Sequence, residues 1–170
     1  VNNEYFWQDL MVSQWIYGEN PAVHVDIASR MDGFVAHVAS FRKIVVFDIR
    51  DIDLDIPNVS FKRADLMSEQ SVKSYLENNG QCDSLSCLHA IEHFGLGRYG
   101  DDIDPLGYEK GITNISRLLK TNGIFYLSTP IGIEHVQFNA NWVFSPSTII
   151  ECAKNNDLEL KTLTIFNSGI

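Results

Sequence analysis

His89-Ala90-Ile91-Glu92-His93 packs two imidazoles and a carboxylate into consecutive residues. On a helix, His89 and His93 would stand at i and i+4 on one face, a spacing that can hold a divalent metal with Glu92 beside them. Without a metal, the same residues suit acid–base work, since an unperturbed imidazole titrates near about pH 6.5 and can take a hydroxyl proton. His93 is the candidate base, while Glu92 and His93 read equally well as hydrogen-bonding anchors for a loop. Downstream, Gly95, Gly97, Gly100 and Gly107 punctuate a run that carries Asp101, Asp102 and Asp104. A connection this long suggests a lid or a substrate loop. Arg98 and Tyr99 within it could grip an anionic or sugar acceptor. The run fails as a calcium loop, because a count from Asp102 puts Thr113 where glutamate is required, and the Asp51, Asp53, Asp55 run fails likewise. Both runs also read as solvated turns. Further on, His135, Gln137, Asn139 and Asn141 offer neutral hydrogen-bonding groups that suit sugar hydroxyls. Trp142 and Phe144 read as core or as a substrate platform.

A second constellation is acidic. Asp26 and Asp48 lie 22 residues apart, each at the end of an apolar run. A carboxylate about 20 positions on is what a ribose hydroxyl pair requires. The glycine loop between them is poor: its glycine positions hold Ala28, Arg30 and Asp32, and Gly33 comes one residue late. This disfavours a dinucleotide and leaves room for an adenosine ligand without phosphates. The alternative is that Asp26 and Asp48 merely cap strand ends.

The elements that must position these residues alternate. Apolar runs predict strands at 22–27, 44–47, 59–64, 83–88, 124–128 and 158–166, and helical spacing predicts helices at 5–17, 32–41, 71–78, 105–120 and 145–155. Gly80 and Asn122-Gly123 read as helix stops, and Ser145 with Pro146 as a helix start. Such alternation predicts a parallel sheet covered on both faces, with ligands beyond the carboxyl ends of the strands.

The 170 residues fit one domain, 1–170, with 1–20 as an N-terminal helix and lead-in. Thirteen Lys+Arg against 22 Asp+Glu give a formal charge of -9, the wrong sign for a chain that neutralises phosphates, so no nucleic-acid partner is expected. Cys82, Cys87 and Cys152 form no C-x-x-C pair, which points to a reducing, cytoplasmic setting. No membrane span is expected, since no apolar run reaches about 18 residues. The opening Val1-Asn2-Asn3-Glu4 lacks the features of a signal peptide, and a start at Val suggests a trimmed chain.

Residues 83–93 resemble the segment that follows the fourth strand in class I S-adenosylmethionine-dependent methyltransferases. Residues 114–130 are similar to that family's "R-x-L-K-x-G-G" helix and fifth strand, and Ala64-Asp65-Leu66 sits where its adenine-contacting acid falls. Residues 26–34 and 94–101, with Pro130-Ile131-Gly132 and Phe138-Asn139-Ala140, are similar to a methyltransferase-like family of unknown function, over nearly the whole chain. The resemblance implies an α/β, doubly wound, mostly parallel sheet with helices on both faces; this chain departs from it at the end, where either the last edge strand is missing or the chain is truncated. It implies S-adenosylmethionine as cofactor, at Asp26, Ala28, Ser29, Gly33, Asp48 and His89, with adenine at Asp65 and Leu66. It further implies methyl transfer to a hydroxyl of a small or sugar-like acceptor, in surface polysaccharide biosynthesis. His93 would be the base, with Glu92 beside it and Arg98, Tyr99, His135 and Asn139 lining the acceptor pocket. Some quinone-pathway O-methyltransferases carry E-x-x-E-H here and use a divalent ion, which His89, Glu92 and His93 would hold. Two alternatives stay open. One is a non-catalytic binding module; the other is a metal-dependent hydrolase, since H-x-x-E-H is also an inverted zinc-peptidase motif.

Overall fold

A computed structural model describes residues 4–166; residues 1–3 and 167–170, on which the readings of the chain's two ends partly rest, lie outside the described residues. Helix α1 (Glu4–Glu19) precedes β1 (His24–Ile27). A π-helical turn over Met31–Val35 runs into α2 (Ala36–Ala39), then β2 (Ile44–Asp48) and β3 (Val59–Arg63). Next come α3 (Glu69–Asn79), β4 (Cys82–Leu88), a 3-10 turn over Ile91–His93, α4 (Gly107–Leu118) and β5 (Leu119–Ser128). A hairpin of β6 (His135–Gln137) and β7 (Asn141–Val143) leads to α5 (Pro146–Lys154).

The five-stranded sheet has the order β3-β2-β1-β4-β5, and all its pairings are parallel. Every strand therefore points its carboxyl end the same way, which gathers the strand-to-helix turns along one edge. Alternate side chains serve opposite faces. Phe47 and Cys87 join Val72 of α3, Ile112, Ile115 and Leu118 of α4, and Ile149 of α5 on one face. Val46 and Leu88 join Val12 and Ile16 of α1, with Phe34 and Val38, on the other. Burial on both faces explains the unbroken apolar run Ile44–Phe47 of β2. No described helix is long and apolar enough to cross a membrane.

Four local expectations change. The helix expected from Asp32 begins as a π turn, its Val35 N–H reaching the Arg30 carbonyl at 3.3 Å. Asn122-Gly123 does not stop α4. The helix ends at Leu118, and the two residues form a bulge in β5, where Leu119 pairs with Cys82 and Ile124 with Ser84. Ser145 precedes α5, but its hydroxyl bonds Ser147 Oγ at 2.7 Å instead of capping the helix. Residues 158–166 form no strand. Leu160, Leu163 and Ile165 are each more than half exposed, Leu158 alone of these leucines and isoleucines packs on the core, and among the described residues β5 is an edge of the sheet.

Candidate functional site

A cleft partly open to solvent lies at the carboxyl ends of β1, β2 and β4. Ile27, Phe47, Ala64 and Leu66 supply apolar lining, and Asp48, Arg50, Asp65, His89, His93 and Tyr99 supply its polar groups. Two strands break sharply at its edge. Ala28 (φ 52) follows β1 and His89 (φ 51) follows β4, both left-handed. That conformation costs an L-residue about 1–2 kcal/mol, so tertiary bonds must hold it. Ala28 N–H donates to the Phe47 carbonyl at 2.8 Å, and His89 N–H to the Ser128 carbonyl at 3.0 Å.

Asp26 organises the turn after β1. It is fully buried, and its carboxylate accepts from Ser29 N–H (2.9 Å), Ser29 Oγ (2.7 Å) and Ser86 Oγ (2.6 Å). Burial pushes its carboxyl up to about 6 despite those bonds, and the charge of Asp9 adds to the shift. Since Ser86 donates to Asp26, its oxygen is free to accept from His24 Nε2 at 3.2 Å, and His24 Nδ1 then accepts from Ser84 Oγ at 2.8 Å. Burial holds His24 neutral, down to about 3. Helix α1 lies over the same turn. A Cβ at Gly33 would collide with the Asp9 carboxylate, the Tyr5 ring packs 4.7 Å from that of His89, and Gln8 accepts from Ser128 Oγ.

At the end of β2 the Asp48 carboxylate is taken. Arg50 Nε donates to one oxygen at 2.8 Å and Nη2 to the other at 2.6 Å, and the Arg50 N–H adds a third bond at 2.9 Å. The same guanidinium stands 5.1 Å from the centre of the Tyr99 ring, and that of Arg98 stands 5.5 Å from it. Asp65 Oδ1 accepts from Met67 N–H at 2.9 Å, fixing the turn that presents Leu66.

The loop after β4 is built on one carboxylate. Asp101 accepts from the N–H groups of Gly95 (3.0 Å), Gly97 (3.1 Å) and Tyr99 (3.1 Å), so this acidic run is more than a solvated turn. The tip of the β6–β7 hairpin closes over it, where the Ala140 carbonyl accepts from His93 Nδ1 (2.7 Å) and Arg98 Nη1 (2.8 Å). A carbonyl can only accept, so His93 carries a proton on Nδ1 and leaves Nε2 as the acceptor nitrogen of a ring that lines the cleft. Tyr99 meets the His93 ring edge-on at 5.6 Å.

The metal expectation fails on geometry. His89 Nδ1 bonds Glu92 Oε1 at 3.0 Å, His93 turns to Ala140, and only residues 91–93 are helical. Among the described residues no group of three His, Cys, Asp or Glu is placed to hold a metal ion. The cysteines are free, and burial pushes the Cys82 thiol up to about 12 and Cys152 up to about 11, far from a reactive thiolate.

The family model for a Caenorhabditis protein of unknown function, DUF268, matches residues 32–150, more than half the chain. The chain belongs to the DUF268 family. No curated protein matches it by sequence. Among solved structures it is similar to a Burkholderia thailandensis 1,6-didemethyltoxoflavin-N1-methyltransferase, determined with bound 1,6-didemethyltoxoflavin and S-adenosylhomocysteine. The two share 14% identity with a TM-score of 0.57, over 89% of this chain and 67% of that one. At that identity the likeness establishes the fold, and this DUF268 chain has the class I methyltransferase-like architecture.

Within that fold Ala28, Asp48, Asp65, Leu66, His89, His93 and Tyr99 come together around the cleft. Asp26, Ser29 and Gly33 instead shape the turn that carries Ala28, and Glu92 is buried behind His89. His135 bonds the Ile133 carbonyl at the hairpin's other end and does not line the cleft; Asn139 stands exposed at the tip. Phe144 is wholly buried and belongs to the core, with Trp142 packed against it. Sequence reading missed Arg50, Asp9 and the Ala140 carbonyl. Only Arg50 left a signal, a cation two residues past the strand-end Asp48.

Proposed function

We propose that this protein transfers a methyl group from S-adenosylmethionine to a hydroxyl of a small, sugar-like acceptor. The observation that carries the reading is the fixed tautomer of His93: Ala140 holds Nδ1–H, which leaves Nε2 as the proton acceptor of a ring that lines the cleft. The residues present fit an adenosyl group. The cleft combines an apolar lining with carboxylates at Asp48 and Asp65, the mix of surfaces that small-molecule sites use. The S-adenosylhomocysteine in the Burkholderia thailandensis enzyme, whose fold this chain shares, supports the same choice. Arg30 and Asp32, which replace loop glycines, bond each other at 2.9 Å, are largely exposed and do not line the cleft.

When bound, S-adenosylmethionine supplies a sulfonium-bound methyl group, the C–S electron pair returning to sulfur as the acceptor oxygen bonds the methyl carbon. His93 takes the hydroxyl proton at Nε2 during that attack. Asp48 receives the ribose hydroxyls, and Leu66 with Phe47 packs the adenine. Arg98 and Tyr99 orient the acceptor from the loop above.

Calorimetric titration with S-adenosylhomocysteine, followed by a labelled-methyl screen of nucleotide-linked sugars, tests this. His93→Asn should lower turnover about 10²–10⁴-fold while leaving cofactor affinity unchanged. Unchanged turnover would remove His93 as the base. No binding at millimolar ligand would favour a non-catalytic binding module.

A further inference from the structure

The Asp48–Arg50 pair poses a conflict at the site just described. A ribose diol needs both carboxylate oxygens of Asp48, and both are occupied by the Arg50 guanidinium. One partner must yield. The Asp48 side chain is 6% exposed at the strand end, whereas that of Arg50 is 55% exposed and free to swing. The guanidinium already lies over the Tyr99 ring.

Tyr99 also carries the Arg98 guanidinium, which has no carboxylate partner among the described residues and bonds only the Ala140 carbonyl. Asp101, three residues on in the same loop, is already committed to three backbone N–H groups. His93 touches the same ring. Two arginines on one aromatic ring beside the base make an anion-binding pair, but only once Arg50 is released from Asp48.

We infer that Arg50 is a switch between two subsites: it caps Asp48 until ribose arrives, then turns with Arg98 to bind an anionic group, phosphate or carboxylate, on the acceptor. This rests on the methyltransferase reading and adds the acceptor's charge and a binding order to it. The neutral ribose replaces a cation on Asp48, so cofactor binding leaves an unpaired positive charge at the acceptor mouth. By linkage, the anion strengthens cofactor binding by the same factor.

Calorimetry on the full chain tests it, with S-adenosylhomocysteine as cofactor probe and inorganic pyrophosphate as anion probe. In the unmodified protein, saturating S-adenosylhomocysteine should tighten pyrophosphate binding by about fivefold or more. Arg50→Met should bind S-adenosylhomocysteine roughly tenfold more tightly, since it removes the competing cap, and should abolish the gain for pyrophosphate. Arg98→Met should lose pyrophosphate without tightening S-adenosylhomocysteine. Pyrophosphate binding indifferent to S-adenosylhomocysteine in the unmodified protein would overturn the inference, and that arm needs no variant to fold. So would an Arg50→Met affinity equal to or weaker than the unmodified protein's. If neither protein binds S-adenosylhomocysteine at millimolar concentration, the methyltransferase reading fails and the switch with it. Binding without coupling would sink the switch alone.

Discussion

Asp26 shows how a single carboxylate can serve a turn and tax the fold at once. Its three donors define the turn that presents Ala28, yet burial still lifts its carboxyl to about 6. A raised acid binds its proton more tightly in the folded state than in the unfolded one, where it titrates near about 3.9. The stabilisation from that proton is therefore full below about pH 4 and disappears as pH rises through about 6. A shift of about two units corresponds to about 3 kcal/mol. Asp26→Asn removes the titration, so its stability relative to the unmodified protein should improve between pH 4 and pH 7 by up to about that amount. Urea denaturation at both pH values measures it, and a pH-independent difference between the two proteins would show that the native carboxyl is not raised. The variant also loses an acceptor for Ser29 and Ser86, which lowers both ends of the comparison equally.

At the scale of elements, the loop between the 3-10 turn and α4 is held by Asp101 and by close approach of backbone to backbone. Gly95 (φ 76) has no room for a Cβ beside the Asp104 carbonyl, and Gly107 packs against Gly95 itself. Asp101→Ala should speed amide exchange at Gly95, Gly97 and Tyr99 at least about tenfold and cost about 1–3 kcal/mol of stability. Unaltered exchange at those amides would mean that the glycine contacts alone hold the loop. That this stretch was a long loop was legible from its glycines. Its organisation was not, because Asp101 read as one of several interchangeable acids. The same limit applies elsewhere. Apolar runs marked β1, β2 and β4, and Gly80 closes α3 as a helix-stop signal should, while its cap Ser68 lies ahead of the start expected at residue 71. The His93–Ala140 bond joins residues 47 positions apart, and no local pattern encodes such a meeting. The final run, 158–166, has the composition of a strand, but composition cannot supply a hydrogen-bonded neighbour or a core beneath it.

Across the whole molecule, the sheet separates two cores with unequal relations to the cleft. Ile16, wholly buried on α1, anchors the helix that sets Tyr5 against His89, Asp9 over Gly33 and Gln8 on Ser128. Ile149 on α5 fills the opposite core and is not itself part of the cleft lining, although Phe47, Ala64 and Leu66 of that core are. Truncating either to alanine should cost about 2–4 kcal/mol, because each leaves a cavity in packed surroundings. Their effects on ligand binding should part company. Ile16→Ala loosens α1, and with it the turn after β1 and the His89 ring, so S-adenosylhomocysteine affinity should fall about tenfold. Ile149→Ala should leave that affinity unchanged at temperatures where the variant is fully folded. Paired denaturation and calorimetry on the two variants separate global stability from site geometry. Equal losses of affinity would mean that the cleft responds to overall stability, and α1 would then be a cover for the sheet without a part in shaping the site.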